Sequence, residues 1–521
     1  MNQLSRWTLR FTMGLTLIIS AQICAAGSKN ILLIIADDYG ADSSSLYNST
    51  NNGASLPPTP NIVALAQSGV TFRNAYANPV CSPTRACLIT GRYGFRTGVG
   101  DVVMGPGTAV LSASEFTLPD AFAANPALGY QLASFGKWHL ATGPSTPSTV
   151  GGWPYFAGSI AGEITSYTNW SKVVNGSSTT RTNYATTDLV DDAAAWIQSK
   201  GTNPWFAWVA FNAPHVPLHK PPTNLCPHYT TLSGTTPDIN ANPRKYFEAM
   251  TEAMDTEIGR LLTSVNLTNT HVIFLGDNGT LGNVIQPPFT STRAKGVVYE
   301  GGVRVPFVVA GPAVVSPGRT NDTPVHVVDV FSTILEMAGI NVAATIPSST
   351  TIDSQSFLPI LTNTATLSRY VYVEKFGTNT PTPNAHALRG AQFKLIQFTN
   401  STEEFYDLAS DPYEATNLLS GTLSATQKAN YYSLQLGLGH YSTLSQPVMT
   451  NTVKTSSLFS GTVQQNTSLF YSLWRSSDLG GLTWAPVTNA LIVSNGVATI
   501  TLTDTNASGA QSFYRVLAKT P

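Results

Sequence analysis

Three short clusters in this sequence carry the residue types of a reactive centre. Asp37 and Asp38 follow directly on the apolar run Asn30 to Ala36. Two adjacent carboxylates at the end of a buried segment repel each other and lose hydration, a cost offset only when positive charge sits beside them. A divalent cation taking oxygen ligands is the natural partner, although Asp-Asp-Tyr-Gly also has the composition of a plain solvated turn. The arrangement returns at Gly276-Asp277-Asn278-Gly279, directly after the apolar run His271 to Leu275. Asn278-Gly279 is also an ordinary β-turn signal. If both runs are parallel strands, the oxygens of Asp37, Asp38, Asp277 and Asn278 converge at one edge of a sheet.

The third cluster is Cys81-Ser82-Pro83-Thr84-Arg85, which continues through Ala86-Cys87-Leu88-Ile89-Thr90-Gly91-Arg92. Cys81 precedes Pro83 and a helix-like stretch, so it belongs near a helix N-terminus, where free N–H groups and the helix dipole favour anions. A cysteine there is either a low-pKa nucleophile or a buried structural thiol. Arg85 follows by one helical turn, which brings its guanidinium alongside.

Buried strands and surrounding helices must position these groups. Asn30 to Ala36, Trp205 to Phe211, His271 to Leu275 and Pro306 to Ala310 read as strands, and Val70 to Tyr76 as another. Pro60 to Ser68, Asp188 to Lys200, Arg244 to Val265 and Val327 to Ala338 read as helices. This alternation predicts an α/β domain over residues 27–345, a large sheet sandwiched by helices, with ligands beyond the carboxyl ends of its strands. Residues 346–446 read as a smaller α+β subdomain, with strands at Tyr370 to Glu374 and Phe393 to Phe398 and a helix at Ser424 to Leu438. Residues 447–521 alternate short apolar and polar runs with turns at Gly480-Gly481 and Asn495-Gly496, as in a small β-sandwich module.

Residues 1–26 read as a signal peptide, with Arg6 and Arg10 before the apolar run Phe11 to Ile19 and small residues at Ala25 and Ala26. Cys24 raises a lipoprotein alternative, but Ala21-Gln22-Ile23 is a poor lipobox. The expected location is secreted or periplasmic, with no transmembrane segment. Charged residues make up only 11% of the chain and the net charge is −1, which gives no electrostatic case for nucleic acid as a partner. Of the 4 cysteines, Cys24 falls in the leader; Cys87 and Cys226 either pair or remain free thiols.

From about Lys29 to Leu438 the chain resembles the type I sulfatases of the alkaline phosphatase superfamily. Cys81 to Arg85 matches the Cys-x-Pro-x-Arg segment that formylglycine-generating enzymes recognise in that family. Asp37-Asp38 and Gly276-Asp277-Asn278-Gly279 resemble its metal-ligand pairs. Gly136-Lys137-Trp138-His139-Leu140, Lys295-Gly296 and Glu300-Gly301-Gly302-Val303-Arg304-Val305-Pro306 are similar to three further motifs, in the family's order. Tyr406-Asp407-Leu408 with Asp411-Pro412 and Asn417-Leu418 is similar to its C-terminal signature.

The resemblance implies that Cys81 is oxidised to formylglycine (3-oxoalanine), whose gem-diol attacks sulfur and later expels sulfate. It implies Ca²⁺ held by Asp37, Asp38, Asp277, Asn278 and the modified Cys81. Arg85 would lie beside the aldehyde-derived oxygens. Lys137 and His139, two apart on an extended segment, would face one side, with His139 deprotonating the gem-diol. His215, in a Pro-His-x-Pro setting, and Lys295 would serve the leaving oxygen and sulfate. His219 lies near substrate in this reading, Glu300 and Arg304 brace the Lys295 loop, and Arg92 supports the Cys81 helix. Trp153, Tyr155 and Trp170 are candidates for a sugar-stacking wall or for plain packing. The substrate class is a sulfated carbohydrate or another sulfate ester. The competing readings are a phosphonate monoester hydrolase or phosphodiesterase of the same superfamily, and an inactive glycan-binding relative.

Overall fold

The computed structural model describes residues 29–440, apart from 106, 363–368, 380 and 401, together with strand segments 450–455, 458–464, 470–476, 485–487, 491–494, 499–505 and 513–519. The expected leader, residues 1–26, lies outside the described residues.

Asn30–Ala36 forms the centre of a 10-stranded mixed sheet. It pairs in parallel with Trp205–Ala210 on one side and Thr270–Gly276 on the other. Beyond Trp205–Ala210 lie Gln131–Lys137 and Phe156–Ser159, both parallel, then Trp170–Val174 and Ser177–Arg181 as an antiparallel edge. Beyond Thr270–Gly276 lie Phe307–Ala310, Gly69–Phe72 and Arg319–Asn321, the first two antiparallel to their inner neighbours. The expected single strand Val70 to Tyr76 is broken: Gly69–Phe72 joins this sheet and Ala75–Tyr76 pairs with Val325–His326.

The apolar run at residues 30–36 has no polar alternation because both faces of the strand are covered. Ile31, Leu33 and Ile35 pack into one core with Leu88, Ile89, Phe331 and Ile334. Leu32, Ile34 and Ala36 pack into the other with Met250, Met254 and Ile258 of the helix Pro243–Leu262. Each such fully buried aliphatic side chain contributes about 1.5–3 kcal/mol, so the central strand is among the most firmly held segments from which to hang a site.

A second, 4-stranded antiparallel sheet runs Val371–Lys375, Ala385–Arg389, Phe393–Phe398, Glu403–Asp407. The helix Ala425–His440 packs against it. Val373, Ala387 and Ile396 on one face meet Tyr76, Val298 and Val303, so this sheet backs the segment that follows Lys295. The C-terminal strands form two small antiparallel sheets, one of 4 strands and one of 3, joined by the Arg475–Asp504 ion pair at 2.8 Å.

Candidate active site

The register of the sheet brings the first acidic pairs together. Ala36 lies opposite Gly276, Ile35 opposite Ala210, and Gly136 beside Ala210. Asp37, Asp277 and Lys137 therefore emerge at the same carboxyl edge, where open α/β sheets place their ligands. Gly136 is required for this. Its φ is +87°, and a Cβ there would lie 1.9 Å from the Ala210 carbonyl oxygen. The strand is pulled in tightly at its end, and Lys137 Nζ reaches Asp37 Oδ2 at 2.6 Å.

Cys81 is the first residue of the fully buried helix Cys81–Thr90. Arg85, one turn on, donates to Asp277 Oδ2 from Nη2 at 2.8 Å and to the Lys137 carbonyl from Nη1 at 2.8 Å. The guanidinium thus ties helix, acidic pair and strand end into one unit. Lys295 donates to Asp38 Oδ1 at 2.5 Å, and its own backbone is anchored by Lys295 N to Thr280 O at 3.0 Å and Gly296 N to Pro79 O at 2.9 Å. Asp38 holds φ +65°, an uncommon conformation for a carboxylate residue that concentrates at functional sites.

His139 does not continue an extended segment as expected. Trp138 is buried in the core and His139 turns into the left-handed region at φ +56°, which swings its ring over Cys81. His139 Nε2 lies 3.0 Å from the Val103 carbonyl, and Nδ1 lies 3.1 Å from Cys81 Sγ. A carbonyl only accepts, so Nε2 carries the proton and Nδ1 is the bare acceptor facing Cys81. Burial, with Lys137 and Arg85, pushes this imidazole well below its usual pKa and keeps it neutral. By the same logic His215 donates from Nδ1 to the Val216 carbonyl at 2.9 Å, leaving Nε2 3.8 Å from Asp38 Oδ2. Burial lowers its pKa to about 4 against the pull of Asp38.

The donor set fits a hard divalent cation. Asp37 Oδ1, Asp38 Oδ2 and Asn278 Oδ1 are buried oxygens with no hydrogen-bond partner, a costly state that a cation relieves. Oxygens of Asp37 and Asp277 and the Cys81 sulfur all lie within 4.8 Å of one another. Burial, opposed by Lys137, pushes Asp37 up to about 8. For Asp38, Lys295, His215 and Lys137 overcome burial and hold the carboxyl at about 2. Burial also raises the Cys81 thiol, so a simple thiolate nucleophile is disfavoured despite the helix terminus.

Every residue singled out for catalysis or metal binding thus lies in one cluster: Asp37, Asp38, Cys81, Arg85, Lys137, His139, His215, Asp277, Asn278 and Lys295. The supporting expectations fare less uniformly. His219 does not line the cleft; its ring stacks on Tyr167 at 4.2 Å and Nε2 meets the Tyr184 hydroxyl at 3.1 Å. Tyr167 in turn donates to the carbonyls of Asn212 and His215, so His219 props the His215 turn from behind. Trp153 and Trp170 are buried, Trp153 against Phe206 and Trp208, and Tyr155 packs on Phe135. None borders the cleft, because each fills space along the sheet. Arg92 pairs with Glu115 at 3.3 Å. Glu300 pairs with Lys394 at 3.0 Å and joins the 300–303 turn to the second sheet. Cys87 and Cys226 are free thiols.

A cleft of about 540 Å³ opens over Cys81, His139, His215 and Lys295. Its upper walls come from Val102 to Met104 and Ile160 to Glu163, which the sequence did not mark. These loops have no periodicity and no titratable cluster. Their one legible trace is Gly162, whose absent side chain leaves room for the His139 ring.

The fold is alkaline phosphatase-like, and the carboxyl edge of its large sheet carries a buried acidic pair opposed by Arg85 and Lys137 around position 81. The sulfatase family profile matches residues 29–340, and a profile described as N-sulphoglucosamine sulphohydrolase, C-terminal, matches residues 293–433. The chain belongs to the sulfatase family and is a sulfuric ester hydrolase. It is 27% identical over 482 residues to a sulfatase of Formosa agariphila, covering 75% of this chain and 84% of that one. An ulvan-active sulfatase of the same organism is 27% identical over 69% of this chain and 72% of its own. Human N-acetylgalactosamine-6-sulfatase is 27% identical over 72% and 73%. Among solved structures, Ps i-CgsB bound to k-i-k-neocarrahexaose superposes with a TM-score of 0.68 at 22% identity, covering 80% of this chain and 92% of that one. BT4656 bound to D-glucosamine-2-N,6-O-disulfate gives 0.64 at 21% identity, covering 80% and 97%.

Proposed function

We propose that this protein is a secreted or periplasmic sulfatase that removes sulfate from a sulfated carbohydrate. In this reading a formylglycine-generating enzyme oxidises Cys81, and Ca²⁺ is held by Asp37, Asp38, Asp277, Asn278 and the oxidised Cys81. The observation that carries it is the set of three partnerless buried oxygens on Asp37, Asp38 and Asn278 around a side chain at the cleft floor. The relatives named for ulvan and for N-acetylgalactosamine-6-sulfate support the carbohydrate class. No helix among the described residues is long and apolar enough to cross a membrane.

The formylglycine would supply an oxygen nucleophile that can be released again as an aldehyde, and the cation would offset carboxylate charge and polarise sulfate oxygens. Nδ1 of neutral His139 is placed to take a proton from the group at position 81. Lys137 holds Asp37, and Arg85 holds Asp277, so neither carboxylate can swing away from the site. Lys295 brings its positive charge to the cleft floor, where it binds sulfate, and His215, whose bare Nε2 faces Asp38 Oδ2 at 3.8 Å, serves the leaving oxygen only after taking up a proton there.

The test is the mass of the peptide carrying Cys81, from protein co-expressed with a formylglycine-generating enzyme, followed by sulfate release from sulfated glycans. The expected result is the mass loss that conversion of a thiol to an aldehyde requires, and turnover. A persistent thiol, with a control sulfatase converted in the same cells, overturns the aldehyde chemistry.

A further inference from the structure

The charge in the cleft is concentrated at its floor. Lys295 borders it there beside the uncharged imidazoles of His139 and His215, with Arg85 and Lys137 beneath. Above them one wall is Val102, Val103, Met104, Ala141 and Thr142, and the other is Ile160, Ala161 and Gly162. A second hollow of about 330 Å³ adjoins the cleft and shares Gly143, Ile160, Ala161 and Glu163 with it. Its remaining lining is hydroxyl and apolar, including Thr165, Ser171, Ser178, Ile164 and Val173. The nearby Lys172 offers no free charge, since it is buried against Asp188 and Asp192 at 2.5 Å. Among the lining residues of either cavity, Glu163 is the one charged side chain away from the floor, it lies where the two meet, and it is exposed.

A substrate carrying one sulfate ester finds all the positive charge it needs at the floor. A second sulfate or a carboxylate on the same or the next sugar would meet, above the floor, no basic side chain among the described lining residues, and would lie beside the exposed Glu163 carboxylate. Recognition of polyanionic chains depends on arginine and lysine aligned with each anionic group, and rejection of wrong partners works through unpaired like charge. A like charge about 6 Å away in a partly screened cleft shifts affinity about tenfold.

Resting on the sulfatase reading above, we propose that Glu163 is a specificity-determining residue. It restricts the enzyme to substrates whose one anionic group near the cleft is the scissile sulfate, that is, to neutral glycan chains bearing isolated sulfate esters. Uronate-rich and multiply sulfated chains are disfavoured, by about tenfold for each added anionic group beside Glu163.

The test uses full-length protein with Cys81 converted and a matched pair of small esters, 4-sulfooxybenzamide and 4-sulfooxybenzoate, which differ by one carboxylate charge. The readout is the ratio of kcat/KM for the two, which is independent of the fraction of active enzyme. The wild type is expected to prefer the amide by about tenfold, Glu163→Gln to narrow that preference to about threefold or less, and Glu163→Lys to reverse it. Equal wild-type rates, or a ratio unmoved by Glu163→Lys, overturn this inference alone. Failure of converted wild-type protein to hydrolyse either ester overturns the sulfatase reading beneath it.

Discussion

His139 owes its position to three small features: the left-handed turn at its own backbone, the Val103 carbonyl on Nε2, and the missing side chain at Gly162. Val103 is itself fixed, its N–H donating to Ser82 Oγ at 3.0 Å in the first turn of the Cys81 helix. A Cβ at position 162 would lie 2.4 Å from both Cε1 and Nε2 of the imidazole, so either the ring or the 161–163 loop must shift, and a shifted ring loses its bond to Val103 or to position 81. Gly162→Ala is expected to lower kcat/KM on an aryl sulfate by about 100-fold, the scale of an ångström's misplacement of a catalytic group. Gly162 is half-buried between the exposed Ala161 and Glu163, so the melting temperature should move by less than about 3 °C. A normal rate in the well-folded variant would show that the imidazole's position is immaterial to turnover. The grouping of these residues was largely legible beforehand, because Cys81, Arg85, His139 and the acidic pairs sit in short motifs. What was not legible was how the backbone aims them: the left-handed turn at His139 leaves no mark in Lys-Trp-His.

Elements carry the next level of constraint, and here contacts between distant segments matter most. The turn Glu300–Val303, which follows Lys295, is bound to the second sheet by Lys394, which meets Glu300 at 3.0 Å and Glu414 at 2.8 Å. One buried cation thus faces two buried carboxylates. Against the burial that would raise it, Lys394 holds Glu300 below the ordinary glutamate range. Burial and the neighbouring Glu300 outweigh Lys394 at Glu414 and raise it from 4.5 to about 7. A carboxyl whose folded pKa exceeds its unfolded one binds its proton more tightly when folded. Its stabilising contribution is therefore complete below about 4.5 and is lost as pH rises through about 7. Glu414→Gln removes that loss while keeping an acceptor for the Glu300 N–H. Urea unfolding of wild type should show a steeper fall in stability from pH 5 to pH 8 than the variant, by up to about 3 kcal/mol. Parallel slopes would mean that the triad shares no proton in this range. Nothing in the sequence announces a pairing across 94 residues. For the same reason Phe156–Ser159 and Ser177–Arg181 escaped notice as strands, being short, or polar and exposed. Residues 30–36 and 271–275 stood out because burial on both faces demands unbroken apolar runs.

At the scale of the whole molecule, every group at the reactive centre lies between Asp37 and Lys295, and the second sheet supports that centre from residues 371–407. The family matches end at residue 433, before the C-terminal strands begin at Thr450. Those strands have buried residues of their own in Phe459, Leu473 and Leu502, and they touch the rest of the protein along the helix Ala425–His440. That helix packs on the second sheet and contributes no residue to the cleft. We propose that the C-terminal strands form an accessory module whose loss does not reach the candidate catalytic groups. Deleting Val453 to Pro521 is expected to leave kcat/KM on a small aryl sulfate within about twofold, as for modules that meet across a limited interface. If the module instead helps to gather polymeric substrate, the same deletion lowers release of sulfate from a polysaccharide and spares the aryl ester, as linked binding sites raise effective concentration. A truncated protein that folds, by circular dichroism and a cooperative melt, yet has lost aryl sulfate hydrolysis would make the module part of the catalytic unit.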